Sequence, residues 1–252
     1  MSGIINTTGS KSGVIGVTSH ETNRRYPKKA SISTSNLAGW YKDGGITDSS
    51  GNSRDGTVQG SGVSTVTGLS GPWQGLKTAT RYPDSGGYIS LPTALIPGGT
   101  TSRTTTLWYK PEGSVDSGNY LFGFGYCSAG GTWNARLTDH CMSFMGCSAD
   151  HDKDGAKIFK NGAEWVRLWY IYDTAGDSTL ETYYTFDGTI HHNYSHDLSL
   201  DTTAGGGSGT ASIGAHANSP GTVNSAFGLI RDFRMYHTRV LDVTEMSKMW
   251  DE

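Results

Sequence analysis

The sequence contains little cysteine. Among its 252 residues there are three cysteines, Cys127, Cys141 and Cys147, and no two of them form a CxxC pair. Small secreted domains held by disulfides carry even sets of cysteines, so this number argues against a disulfide framework and predicts folding in a reducing compartment. A single Cys141–Cys147 link across a turn stays open as an alternative.

Charge and long apolar runs are also scarce. Charged residues make up 17% of the chain and the net charge is −3, so no basic surface suited to nucleic acid is expected. No apolar run is long enough to cross a bilayer, and the N-terminus has no apolar signal-peptide core. The sequence therefore predicts a protein made in a cytoplasm, with no nucleic-acid partner and no membrane insertion.

Glycine and aromatic residues, by contrast, are abundant. The chain has 36 glycines, 13 tyrosines and 7 tryptophans, a composition typical of short strands joined by tight turns in one large β domain. Residues 164–172, EWVRLWYIY, are apolar on both alternating faces, which predicts a central buried strand. The pair Asp187-Gly188 predicts a two-residue hairpin turn between 180–187 and 189–192.

Residues 226–250 combine a strand with a helix. The first half alternates with a period of two, which predicts one face made of Phe227, Leu229, Phe233 and Met235 and another made of Asp232, Arg234 and Tyr236. Further along, Asp242 and Glu245 have the spacing of a capping box. A short helix is therefore expected near the C-terminus.

Two motifs carry a family resemblance. Residues 48–58, DSSGNSRDGTV, and residues 228–236, GLIRDFRMY, resemble motifs of laminin-G-like modules. The resemblance spans Leu37 to Trp250 and implies an all-β, concanavalin A-like jelly-roll sandwich of two antiparallel sheets. It also implies carbohydrate as the commonest class of ligand.

The same resemblance matches Asp48 and Asp232 to acidic positions that often hold one calcium ion. Arg231 stands where the family pattern has the first acidic residue of a pair. A salt-bridging or strand-pairing role for these aspartates is therefore the alternative.

The N-terminal residues 1–35 differ from the rest, because they are rich in Gly, Ser and Thr and lack tryptophan. The phrase SGIINTTGSKSGVIG resembles segments of structural proteins of tailed marine bacteriophages. We predict an extended arm at 1–35, whose apolar residues Ile4, Ile5, Val14 and Ile15 anchor it in a groove or a sheet of another subunit. Residues 36–252 would form the laminin-G-like jelly-roll domain. A flexible tail is the alternative.

A candidate calcium site lies in the segment DHDKDG at 150–155. Asp150, Asp152 and Asp154 alternate as in the first half of a calcium loop, where carboxylates converge on one hard cation. The twelfth loop position is Asn161 instead of a bidentate glutamate. A metal-free, solvated hairpin turn is the alternative.

Several aromatic or imidazole side chains fall in predicted loops or strand ends, where they could stack on a saccharide. These candidates are Trp73, Tyr126, Trp133 and the run His191–Tyr194. Packing in the core or at its rim is the alternative at each position. Catalysis is not expected, because the predicted strands lack closely spaced carboxylates and the chain lacks nucleophile-elbow, P-loop and zinc motifs.

These points favour a non-enzymatic virion structural protein that serves in capsid decoration, as a head fibre or in tail adhesion. The arm would bind other virion proteins, such as the major capsid or tail subunits, or a second copy of the chain. The jelly roll would then face host surface glycans. The alternative is a stand-alone carbohydrate-binding lectin module of a cellular organism.

Overall fold

A computed structural model describes residues 32–84, 86–113, 118–126, 131–146, 153–159, 164–175, 178–202, 209–217 and 226–250. These residues form a β-sandwich of two antiparallel sheets with one short α-helix near the C-terminus, which confirms the predicted fold class. The four predicted anchor residues of the arm, Ile4, Ile5, Val14 and Ile15, lie outside the described residues.

Fifteen strands are defined within the described residues. In chain order they are β1 (Leu37–Tyr41), β2 (Thr57–Gln59), β3 (Ser64–Leu69), β4 (Lys77–Tyr82), β5 (Tyr88–Leu91), β6 (Arg103–Pro111), β7 (Asn119–Gly125), β8 (Thr132–Thr138), β9 (Cys141–Met145), β10 (Lys153–Lys157), β11 (Val166–Asp173), β12 (Thr179–Thr185), β13 (His191–Asp197), β14 (Thr210–Ile213) and β15 (Gly228–His237). A 3-10 turn, Thr93–Leu95, follows β5.

The strands form two sheets. The first has the order β13-β12-β11-β6-β15-β4-β3, with β1 also paired to β15, and the second has the order β10-β9-β8-β7-β14-β5-β2. Strand β11 lies inside the first sheet and is buried on both faces over Val166–Tyr172, as its sequence predicts. At one side of the sandwich β10 packs on β13 so closely that a Cβ on Gly155 would meet Asn193 Nδ2 at 2.1 Å.

Aromatic side chains fill the space between the sheets. The Phe122 ring lies 5.3 Å from Tyr170 and 5.8 Å from Phe233, while Trp133 lies 5.0 Å from Phe144. All five side chains are fully buried. Burial of one such ring contributes on the order of 2–3 kcal/mol, so this cluster contributes strongly to the stability of the sandwich.

A β-bulge in β15 corrects the predicted faces of that strand. Asp232 has a φ of 49°, and the register of β15 against β6 shifts between Arg231 and Arg234. Phe233 therefore faces the core between the sheets, whereas Leu229, which the alternation placed on the same face, packs with a tryptophan cluster on the outer face. The extra residue of the bulge reverses the alternation.

The helix α1 (Val243–Lys248) covers part of this outer face. Its capping box is confirmed, because Glu245 N donates to Asp242 Oδ1 at 2.8 Å and Asp242 N donates to Glu245 Oε2 at 3.3 Å. Met246 and Met249 are buried in the cluster that contains Trp169. No helix of the described residues is long and apolar enough to cross a membrane.

The outer face of the second sheet is polar but buried. Asn134 and Ser143 are fully buried, and His216 keeps 6% of its accessible surface, its ring lying 4.8 Å from Tyr120. Burial lowers the pKa of His216 from 6.5 to about 4, with the positive charge of Arg136 acting in the same direction. His216 is therefore neutral in the folded protein at physiological pH.

This histidine predicts a loss of stability in mild acid. In the unfolded chain this histidine binds a proton below pH 6.5, whereas in the folded protein it stays neutral down to about pH 4. Its contribution to the free energy of unfolding is therefore fully present above pH 6.5. As the pH falls from 6.5 to about 4, that contribution is lost at up to about 1.4 kcal/mol per pH unit. Urea unfolding at pH 7, 6, 5 and 4.5 measures the slope. His216→Gln should flatten the slope, whereas the exposed control His192→Gln should leave it; an unchanged slope in His216→Gln would contradict this assignment.

Candidate functional site

A cavity of about 390 Å³ opens at one end of the sandwich. Strands β6 and β12 end there and β11 and β13 begin there, because Tyr109 pairs with Val166, Arg167 with Thr185, and Tyr184 with His191. The second sheet reaches the same end through the last residue of β10 and the two residues after it. The cavity is lined by Pro111, Lys157, Ile158, Phe159, Glu164, Val166, Tyr184 and Phe186.

Three rings stack beside this cavity, and we call Tyr184, Phe186 and His191 the aromatic stack; Tyr184 and Phe186 line the cavity, and His191 lies next to them. The His191 ring lies 5.1 Å from Tyr184 at an interplanar angle of 21°, and 5.7 Å from Phe186 at 13°. Tyr184 packs on the core, whereas Phe186 is 43% exposed. The three ring planes are therefore nearly parallel, with Tyr184 held against the core and Phe186 open to solvent.

The hairpin between β12 and β13 holds the stack in place. Its turn runs over 186–190, which corrects the predicted two-residue turn. Gly188 N donates to Thr185 Oγ1 at 2.9 Å and Thr189 N donates to Asp187 Oδ1 at 2.8 Å. Gly188 has a φ of +94°, and a Cβ there would lie 3.3 Å from Trp250 Nε1, so glycine suits this position for its conformation.

The cavity has an apolar floor and a polar rim. On the floor, Phe159 packs edge-on against Tyr109 with the ring centroids 5.6 Å apart. On the rim, the exposed Lys157 forms an ion pair with Asp139. The exposed Glu164 makes no hydrogen bond to any described residue, so its carboxylate is available as an acceptor.

The residues predicted from the sequence to bind a saccharide differ in their burial and in their distance from the cavity. Trp133 is fully buried and Trp73 keeps 5% of its surface, so both pack in apolar clusters. Tyr126 is 38% exposed but does not line the cavity. Only His191 of these candidates belongs to the aromatic stack.

Sequence reasoning missed the other two members of the stack, Tyr184 and Phe186. Their spacing of two at the end of β12 and just after it was the available signal, because residues two apart along a strand share a face. The cross-strand neighbour His191 becomes evident only from the register of the hairpin.

The side chains of the candidate calcium ligands Asp150, Asp152 and Asp154 lie outside the described part of the chain. Asp150 and Asp152 lie outside the described residues, and Asp154 pairs with Ser143 through the backbone of β10, its side chain being outside the description. Among the residues that are described, no three His, Cys, Asp or Glu side chains lie close enough to hold a metal ion.

The two aspartates matched by the family resemblance are bridged by one tryptophan. Trp40 N donates to Asp48 Oδ1 at 3.0 Å and Trp40 Nε1 donates to Asp232 Oδ1 at 2.6 Å. Asp48 also accepts from the backbone N–H groups of Ser50 and Arg54. These contacts favour the structural alternative for both carboxylates, since their oxygens already accept N–H groups.

No protein-family model and no curated protein sequence matches the chain. Solved structures do match. Domain 4 of AbnA, an extracellular GH43 arabinanase from Geobacillus stearothermophilus solved with arabinotriose, aligns with a TM-score of 0.59 at 17% identity over 86% of this chain and 98% of that domain. The likeness is one of fold.

Two toxin domains align in the same way. The binding domain of botulinum neurotoxin DC, in complex with SialylT, gives a TM-score of 0.57 at 13% identity, and the binding domain of Paraclostridial Mosquitocidal Protein 1 gives 0.56 at 15%. Each match covers 86% of this chain, which spans about half of each toxin domain, 51% and 52%. These matches support the β-sandwich architecture.

Proposed function

We propose that this protein is a non-catalytic carbohydrate-binding module and that the aromatic stack with its cavity is the saccharide site. The observation that carries the proposal is the exposed Phe186 ring at the cavity, stacked with its plane within 13° of that of His191. Sugar rings have apolar faces that pack on such surfaces, while their hydroxyl groups need polar partners at the edge. Glu164 supplies an acceptor at that edge.

The structural neighbours support the same class of ligand. One was solved with arabinotriose and another with SialylT. The cavity of about 390 Å³ lies within the range of small-ligand sites. Lys157 is already neutralised by Asp139 and Glu164 is an acceptor, so this site favours a neutral sugar unit rich in hydroxyl donors.

The absence of catalysis is part of the proposal. Glycoside hydrolysis generally uses two carboxyl groups that flank the scissile bond. Glu164 is the single carboxylate among the described residues that line the cavity. The arrangement can therefore hold a saccharide but offers no acid–base pair to cleave it.

Phe186→Ala is expected to weaken saccharide binding about tenfold, because loss of one stacking surface costs roughly 1–1.5 kcal/mol. A glycan array that includes arabino-oligosaccharides and sialylated glycans identifies a ligand of the wild type, and titration calorimetry then compares the variants. Tyr126→Ala, which removes an exposed aromatic residue outside the cavity, is the matched control. A wild type that binds no glycan, or equal affinity in Phe186→Ala, would overturn the proposal.

The virion role stays a proposal that rests on the sequence alone. Its support is the composition of residues 1–35 and their resemblance to bacteriophage structural proteins. In that setting the arm would bind capsid or tail subunits, or a second copy of the chain, and the sandwich would present the saccharide site outward. The saccharide proposal holds equally for a stand-alone lectin module.

A further inference from the structure

The bulge of β15 brings two charged residues onto the outer face of the first sheet. With Asp232 in a left-handed conformation, Arg231 and Asp232 both point away from the core, although they are consecutive. A regular strand would have placed one of them inside. Arg167 of β11 and Arg234 of β15 lie on the same face beside them.

Both carboxylate oxygens of Asp232 accept hydrogen bonds from neighbouring side chains. Its Oδ2 accepts from Arg167 Nη1 at 2.5 Å and from Arg234 Nη2 at 3.0 Å. Its Oδ1 accepts from Arg234 Nε at 2.9 Å and from Trp40 Nε1 at 2.6 Å. Four donors saturate the two oxygens, so this carboxylate has no lone pair left for Arg231.

Arg231 is consequently a largely buried cation that forms no ion pair with Asp232. It keeps 5% of its accessible surface, and its Nε and Nη1 donate to no described residue. Its guanidinium lies 4.5 Å from the centroid of the Trp73 ring, which gives it a cation–π contact on one side only. The indole N–H groups of Trp73, Trp108 and Trp165 are also buried without an acceptor.

The positive charge of Arg231 has no ion-pair partner among the described residues. Asp232 pairs with Arg167 and Arg234, and Asp43 acts on Arg231 through space without forming an ion pair. Burial lowers the pKa of Arg231 from its ordinary value. Buried charges in proteins are normally paired, so this arrangement is complementary to an anion.

Arg231 is covered by the connection between β3 and β4. Trp73 belongs to residues 70–76 between β3 and β4, of which 70, 71 and 74–76 are exposed. No backbone hydrogen bond joins this connection to another described segment. Trp73 is therefore its anchor, packed edge-on against Trp108 and Trp165 at ring distances of 5.4 and 5.0 Å.

We propose that Arg231 and the indole N–H groups around it form a second ligand site, which binds the carboxylate of an acidic saccharide or of a free small acid. Arginine with surrounding N–H donors is the usual protein partner of carboxylates. The site lies on the outer face of the first sheet and does not depend on the aromatic stack, so it can fail or succeed independently of the proposed function.

Tryptophan fluorescence of the full chain tests the site, because four tryptophans, Trp73, Trp108, Trp165 and Trp250, contact one another around it. Sodium acetate and sodium D-glucuronate are titrated at constant ionic strength, with D-glucose as the neutral probe. We expect a saturable change with acetate and glucuronate and none with glucose. Arg231→Gln should weaken the response at least tenfold, and Phe186→Ala should leave it intact.

The control variant is Arg81→Gln on the neighbouring strand, whose guanidinium is already paired with Glu112 at 2.6 and 2.7 Å. It should respond like the wild type, and Arg231→Lys, which keeps the charge, serves if Arg231→Gln does not fold. Equal half-saturation by the two acids identifies the carboxylate alone as the ligand, and tighter binding of glucuronate identifies an acidic sugar. No saturable response in the wild type, or a response unchanged in both Arg231 variants, would overturn the proposal.

Discussion

Replacing Asp232 with asparagine is expected to lower the free energy of unfolding by about 3–5 kcal/mol, because it removes the buried carboxylate that pairs with Arg167 and Arg234. The side chains of these two arginines keep 0% and 5% of their accessible surface. Chemical unfolding followed by circular dichroism measures the change. A loss below about 1 kcal/mol, the level of an exposed ion pair, would show that the cluster is not a structural element.

The same carboxylate should make the fold sensitive to strong acid. Burial alone would raise the pKa of Asp232, but Arg234 and Arg167 outweigh it and hold that pKa well below its usual range. The stabilisation is therefore present above about pH 4, where the unfolded aspartate is ionised, and is lost as the pH falls further. Glu112→Gln, which breaks the more exposed pair with Arg81, is the control and should have a much smaller effect.

Trp133→Ala should be about as destabilising, with a loss of about 3–5 kcal/mol for a fully buried aromatic side chain. The ring packs on Phe144, and its Nε1 donates to Thr105 Oγ1 at 2.9 Å, so truncation removes contacts and leaves a buried hydroxyl with one partner fewer. Thermal and urea unfolding measure the loss. Trp133→Phe is the control, and it should recover part of the stability because it refills most of the volume.

Trp133→Phe also tests whether this side chain serves packing in the core or saccharide binding. Trp133 was one of the aromatic residues that the sequence made candidates for a saccharide site, and the structure places it in the core. At a temperature where Trp133→Phe stays folded, its glycan binding should equal that of the wild type. Normal stability together with lost binding would return this tryptophan to the candidate site.

Local patterns made much of this fold readable from the sequence. The doubly apolar run 164–172 predicted the buried strand β11, and the Asp242–Glu245 spacing predicted the start of α1. Both signals depend on residues that are close in the chain, where backbone periodicity and capping chemistry act directly. The overall sandwich followed from motifs at the two ends of the chain.

The aromatic stack and the Arg231 site could not be predicted from such local sequence patterns. Ile230 and Arg231 depart from the alternation in 226–236, but such a departure does not by itself indicate a bulge or show that Arg231 lies beneath Trp73. The aromatic stack depends on which residue of β13 faces Tyr184, and the hairpin turn that sets this register was longer than its Asp-Gly pair predicted. Side-chain exposure, which distinguishes Phe186 from Trp133, depends on packing between distant segments.

The two sides of the sandwich differ in their capacity to recruit further strands. Where β10 packs on β13, the close approach of Gly155 and Asn193 leaves little room for an incoming chain. On the other side β3 is an exposed edge strand, but its register breaks between Val66 and Leu69, and Gly68 has a φ of +73°. A broken edge offers no continuous row of backbone donors and acceptors. Edge-to-edge pairing through β3, the route by which open β-sheets aggregate, is thereby disfavoured.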